Sequence, residues 1–176
     1  MTRPPLTLLL GALLAACTPA AAPEAPPEAA TASTTVAAPA IPEADAWVEK
    51  TSPDPVADTV ARLTAAIESS GASVVAVVDH RANAAKAGLD LPETTVVMFG
   101  NPAVGTPLML ANRRAALDLP LEILVWRDGE TTRIGYLPAP ALAERHGIAP
   151  SHPSIAAMTA ALNKLTDAAA GTASPT

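Results

Sequence analysis

The chain has 176 residues, a net charge of −6 and one cysteine. That length holds one domain, or one domain with tails. Its acidic balance and few rings (Trp47, Phe99, Trp126 and Tyr136) exclude a nucleic-acid binder, which needs a basic footprint and stacking aromatics.

Residues 1–16 read as a signal peptide. Arg3 gives the positive start, Leu6 to Leu14 an apolar run, and small residues close it. The run is too short to span a bilayer, which takes about 20 residues. The closing Leu14-Ala15-Ala16-Cys17 resembles the lipobox of bacterial lipoproteins. That resemblance implies cleavage before Cys17 and a diacylglycerol on its thiol. The bland alternative is an ordinary secretory signal with a chance Cys after it. Each buried acyl methylene contributes about 0.8 kcal/mol, so two or three chains anchor firmly. Thr18 in place of Asp implies, on the same resemblance, sorting to the outer rather than the inner membrane. The expected location is therefore the periplasmic side of the envelope, with the membrane as partner through the lipid on Cys17.

As the only Cys, Cys17 leaves no internal disulfide and no Cys-based metal cage. Residues 17–45 form the lipidated Cys and an Ala-, Pro-, Thr- and Glu-rich tether that buries too little to order itself. Its prolines favour extended polyproline II at about 3.1 Å per residue, a reach of roughly 80 Å. A folded domain is expected over residues 46–168. The small-residue tail 169–176 is expected to fray.

Within the domain, Trp47 to Thr51 is a short strand. Asp54 is placed to cap a helix over 55–70 with Pro55 at its first position. Val56, Val60, Leu63 and Ile67 share one helical face, and Gly71 ends it. Ser73 to Val78 is a continuous β-branched run, which suits a central strand or one covered on both faces. Arg81 to Gly88 gives one or two helical turns, and Glu93 to Phe99 a strand.

Asn101 before Pro102, and Thr106 before Pro107, each offer a cap with Pro at the first helical position. Pro107 would oppose an unbroken helix, so two short pieces or one kinked helix are expected through about Ala116. Leu108, Ala111 and Ala115 are expected to share a face. Asp128-Gly129 between two β-rich runs, 121–127 and 130–137, predicts a tight hairpin. Leu121, Ile123 and Val125 alternate on one side of it, as do Thr132, Ile134 and Tyr136. A short helix follows over 139–146, and a longer one over 151–167 with Ile155, Met158, Leu162 and Leu165 in one stripe. The order β-α-β-β-α-β-β-α predicts an α+β domain of helices on an antiparallel sheet.

These residues carry a resemblance. Asp79-His80 with Ala82 and Ala84-Ala85 is one part of it. Phe99-Gly100-Asn101-Pro102 with Gly105-Thr106-Pro107-Leu108-Met109 is the longest part. Ala116-Leu117-Asp118-Leu119-Pro120-Leu121 and Val125-Trp126 complete it. Together they resemble the bacterial and archaeal family known as domain of unknown function 302, over roughly Val48 to Ala168. The resemblance implies a β-α-β(4)-α fold of the TATA-binding-protein-like type, with a long helix against a curved antiparallel sheet. It also implies homodimers, and it implies no activity and no cofactor. The doubled Arg113-Arg114 and Ala115-Ala116 depart from the pattern and alter a surface, not the motif.

Asp79-His80 at a strand end is the most reactive-looking pair. His80 could act as a general base, with Asp79 and Asn101 beside it in an enzyme acting on a small envelope metabolite. Neighbouring strand residues face opposite ways, so the competing reading is that either side chain hydrogen-bonds the loop at Asn101. No Gly-x-Ser-x-Gly elbow supplies a nucleophile. His80, His146 and His152 lack metal spacing, and Met98 and Met109 are better explained by packing than as soft ligands. His146 reads as a charge partner at a helix C-terminus. Gly100 to Thr106 reads as an anion nest or, more simply, a strand-to-helix turn. Trp126 and Tyr136, on paired strands, are candidates for a pocket or a dimer face. The preferred expectation is a lipid-anchored, non-enzymatic binding or interaction module.

Overall fold

The computed structural model describes residues 47–172. The expected signal peptide, Cys17, the expected tether and residues 173–176 lie outside the described residues. Five strands, β1 (Val48–Ser52), β2 (Ser73–Asp79), β3 (Thr94–Gly100), β4 (Leu121–Asp128) and β5 (Thr131–Tyr136), form one antiparallel sheet in the order β1-β5-β4-β3-β2. Between them run α1 (Val56–Ser69), α2 (His80–Lys86), α3 (Pro102–Ala111) and a 3-10 segment, Arg113–Asp118. Two further helices, α4 (Ala139–Arg145) and α5 (Pro153–Ala169), close the domain. The α+β layering is the one expected, and short helices decorate the β-α-β(4)-α order.

The core lies between one sheet face and the helices. Val56, Leu63 and Ile67 of α1 meet Val97, Phe99, Ile123, Val125 and Ile134 of the sheet, with Met158, Leu162 and Leu165 of α5. The alternation of β4 and β5 places Leu121, Ile123, Val125, Thr132, Ile134 and Tyr136 on this inner face, as the hairpin pattern predicts. The two-residue loop is Gly129-Glu130, one position later than expected, and Gly129 carries φ +58° there.

Several local expectations change. β2 is an edge strand, not a central one, with Val75 60% and Val77 48% exposed. Its β-branched run expresses strand propensity, whereas its place in the sheet is set by long-range pairing. Register slips between Val74 and Ala76, so Val75 is an extra residue that bends the strand. Asp54 does not cap α1. Its carboxylate pairs with Arg62 at 2.8 Å, and Pro55 occupies the cap position. The helix α3 runs unbroken through Pro107 and stops at Asn112, whose extended backbone (φ −149°, ψ 114°) starts the 3-10 segment. Ala111 is exposed and does not join Leu108 and Ala115 inside.

The helix α5 continues two residues past the expected end at Asp167, and Ala169 and Ala170 are buried. Arg62 explains this. Its guanidinium donates to the Ala169 carbonyl at 2.8 and 3.2 Å and to Ser52 Oγ at 3.1 Å, tying the helix end to α1 and β1. Lys50 adds an ion pair to Asp167 at 2.6 Å.

Candidate functional site

The segment 99–109 is a strand-to-helix turn. Phe99 is buried in the core. Asn101 Oδ1 accepts from Ala103 N–H at 2.9 Å, and its carbonyl accepts from Val104 and Gly105 N–H at 2.9 and 3.0 Å. Pro102 starts α3, where it sacrifices no helical bond. The backbone donors of the supposed nest are thus already engaged. Gly100 passes Pro120, where an added Cβ would sit 3.7 Å from the proline Cβ, and the Leu119-Pro120 peptide is cis. Gly105, Thr106 and Met109 of α3, with Leu119, Pro120 and Met158, line an apolar cleft of about 340 Å³.

The proposed trio of His80, Asp79 and Asn101 does not assemble. Asp79 pairs with Thr95 at one end of the β2–β3 hairpin, while Ser73 pairs with Gly100, next to Asn101, at the other. Six strand residues separate those ends, or about 20 Å. Asp79 caps α2 by accepting from Ala82 N–H at 2.9 Å. The exposed His80 side chain makes no hydrogen bond or ion pair among the described residues. Neither side chain reaches the Asn101 loop, whose Nδ2 instead donates to the Gly71 carbonyl at 3.4 Å.

The polar cluster that does assemble was not read from the sequence. Asp118 Oδ2 meets His146 Nε2 at 2.5 Å, and its Oδ1 accepts from Arg145 Nη1 at 3.0 Å. The His146 side chain is 7% exposed. Asn112 Nδ2 donates to the His146 carbonyl at 2.8 Å. His146 therefore pairs with a residue of the 3-10 segment and not with the end of its own helix. The cluster pins that segment to α4. His152 caps α5, its Nδ1 accepting from Ser154 N–H at 3.2 Å. Among the described residues no group of three or more His, Cys, Asp or Glu gathers as a metal cage would.

The other sheet face is the most unusual surface. Strand pairing aligns Ala76, Met98 and Glu122 in one row across it. The next row is Val78, Val96, Leu124, Gly135 and Glu49, and the third carries Thr94, Trp126, Arg133 and Thr51. The Trp47 ring lies over Gly135 so closely that an added Cβ would come 2.7 Å from its Cε2. The middle row is thus apolar over most of its length, where an antiparallel sheet with one solvated face alternates to polar residues. Trp126 belongs to this face. Tyr136 does not: it points into the core and donates to Asn163 Oδ1 at 3.0 Å. A cleft of about 670 Å³ begins on this face at Val96, Leu124 and Trp47 and ends beside Leu117, Asp118 and Arg145.

The family model described as "Domain of unknown function DUF302" matches residues 48–169. The chain belongs to the DUF302 family. The DUF302 crystal structure of an uncharacterized conserved protein from Bacillus stearothermophilus superposes with a TM-score of 0.59 at 18% identity. It covers 72% of this chain and 96% of that one, and such a likeness speaks for the fold alone. The chain is also 42% identical over 118 residues to a protein named fluoride-specific ion channel FluC 1 from Brucella suis biovar 1 (strain 1330). That match covers 66% of this chain and 46% of the relative. FluC 1 of Brucella abortus biovar 1 (strain 9-941) and FluC 2 of Brucella melitensis biotype 1 match at the same identity over 44% of their length. This DUF302 chain thus spans less than half the length of the curated relatives it matches.

Proposed function

We propose that this DUF302 protein is an exported lipoprotein, held at the periplasmic side of the outer membrane by acyl groups on Cys17. Its domain is a non-enzymatic interaction module that works through the open sheet face, and the occupant of that face is a second copy of the chain. The observation that carries this is the apolar middle row, Val78, Val96 and Leu124 with Trp47 over Gly135. Contiguous apolar surface of this kind marks interaction sites.

Five strands about 4.8 Å apart and about six residues long give a face of roughly 24 Å by 20 Å. Two such corrugated faces bury on the order of 1,000 Å² or more, the threshold for a specific interface. Arg133, beside the apolar row, is already paired with Asp128 at 2.6 Å and Glu49 at 3.4 Å, so the apolar row and not charge is what a second copy would meet.

The names of the Brucella relatives support a place at a membrane, since proteins named as ion channels align with this chain over 118 residues at 42% identity. Fluoride conduction is not carried over, because the match covers only 46% of the relative. The enzyme alternative rests on His80, Asp79 and Asn101 converging, and their separation along β2–β3 counts against that trio.

Sedimentation velocity tests the reading. The chain from residue 18 onward sediments as a dimer, and Leu124→Glu or Met98→Glu converts it to a monomer with unchanged circular dichroism. A wild-type chain that stays monomeric at high concentration overturns the assignment.

A further inference from the structure

The corner where α3 meets the 3-10 segment combines exposed aliphatic groups with unneutralised positive charge. Leu117 and Leu110 are the two most exposed large hydrophobic residues among those described, at 86% and 78%. They bracket Arg113-Arg114, the one adjacent pair of arginines in the sequence. Both arginines are exposed, and neither side chain makes a hydrogen bond or ion pair among the described residues. In a chain of net charge −6, no Asp or Glu occurs between Glu93 and Asp118. Asp118, the carboxylate at the end of the corner, is already ion-paired with Arg145 and hydrogen-bonded with His146.

The corner is held from within. Leu108 and Ala115 are fully buried, and Asn112 ties the turn by accepting from Arg114 N–H at 3.0 Å and donating to the His146 carbonyl at 2.8 Å. A 3-10 helix repeats every three residues, so Arg114 and Leu117 stand on the same side. Aliphatic tips beside cationic heads are the chemistry that engages a bilayer interface: apolar groups enter the acyl boundary while arginines meet phosphates. We infer that residues 110–117 form a docking surface for an anionic phospholipid membrane.

The inference rests on the reading that the chain is held at a membrane. A tether from Cys17 raises the effective concentration of the corner there and so adds to the affinity that two arginines and two leucines have on their own. The domain is then seated on the bilayer by this corner instead of hanging free at the end of its leash.

Vesicle co-sedimentation of residues 18–176, which hold every core residue described above, is the test. With about 30% phosphatidylglycerol in phosphatidylcholine the wild-type chain co-sediments, and binding falls as salt rises from roughly 0.05 to 0.3 M. Arg113→Glu with Arg114→Glu lowers partitioning by at least about tenfold, while Arg→Lys at both positions retains it. Leu110→Ser with Leu117→Ser weakens binding with an unchanged dichroism spectrum. Equal binding by the charge-reversed chain, or none by the wild type, overturns the inference. So does loss of the dimer in the leucine variant without loss of lipid binding, which would make Leu117 part of the dimer interface. Failure of the anchor reading is seen separately, as Cys17→Ala leaving the membrane fraction of intact cells unchanged.

Discussion

Gly135 is constrained by contact and not by conformation. A Cβ there meets three atoms of the Trp47 indole, with Nε1 at 2.8 Å. Gly135→Ala is expected to cost about 1–3 kcal/mol, measured by urea denaturation, through the displaced ring. The same change in a Trp47→Ala background is expected to cost far less, because the two residues couple through one contact. Equal costs in both backgrounds would refute the packing of Trp47 on the open face. Two of the residues the sequence marked as reactive take quieter parts, since Asp79 and Asn101 are helix caps; Asp118, known from the sequence only as a motif residue, is a strut between the 3-10 segment and α4. Neither the Asp118–His146 pair, 28 positions apart, nor the Trp47–Gly135 contact has a local signature that could announce it.

Among the elements, the ones with local causes were legible. The buried stripe of α1, the stripe of α5 and the β4–β5 hairpin follow from periodicity and turn chemistry within a few residues of each position. What depends on distant pairing was not. The strand β2 carries a central strand's composition at the sheet edge, since strand order is decided by which chains pair. The open apolar face did leave a trace: Ile123, Leu124, Val125 and Trp126 run without alternation, which a strand wetted on one face does not do. The end of α5 misled because its alanines carry no amphipathic signal, although Arg62 and Lys50 fasten it. Truncation after Thr166 removes the Lys50–Asp167 pair, the carbonyl that Arg62 grips and two buried alanines. We expect it to lower stability by about 2–4 kcal/mol in thermal denaturation, whereas a frayed tail would be removable at no cost.

At the scale of the whole molecule, the described part of the DUF302 domain has two layers, helices over one sheet face and an apolar middle row on the other. On the proposed reading, an acyl anchor on Cys17, the sheet face with its apolar row and the basic corner at 110–117 would let surfaces, and not a reactive centre, carry the work. The claim on which the rest turns is that two open faces meet about a two-fold axis near the middle row. Oxidative cross-linking of Leu124→Cys, in a chain beginning after Cys17, tests it most directly. The account predicts a disulfide-linked dimer in high yield, with Ala65→Cys on the outer face of α1 remaining uncoupled at the same concentration. Coupling at position 65 as fast as at 124, or none at 124, would contradict it.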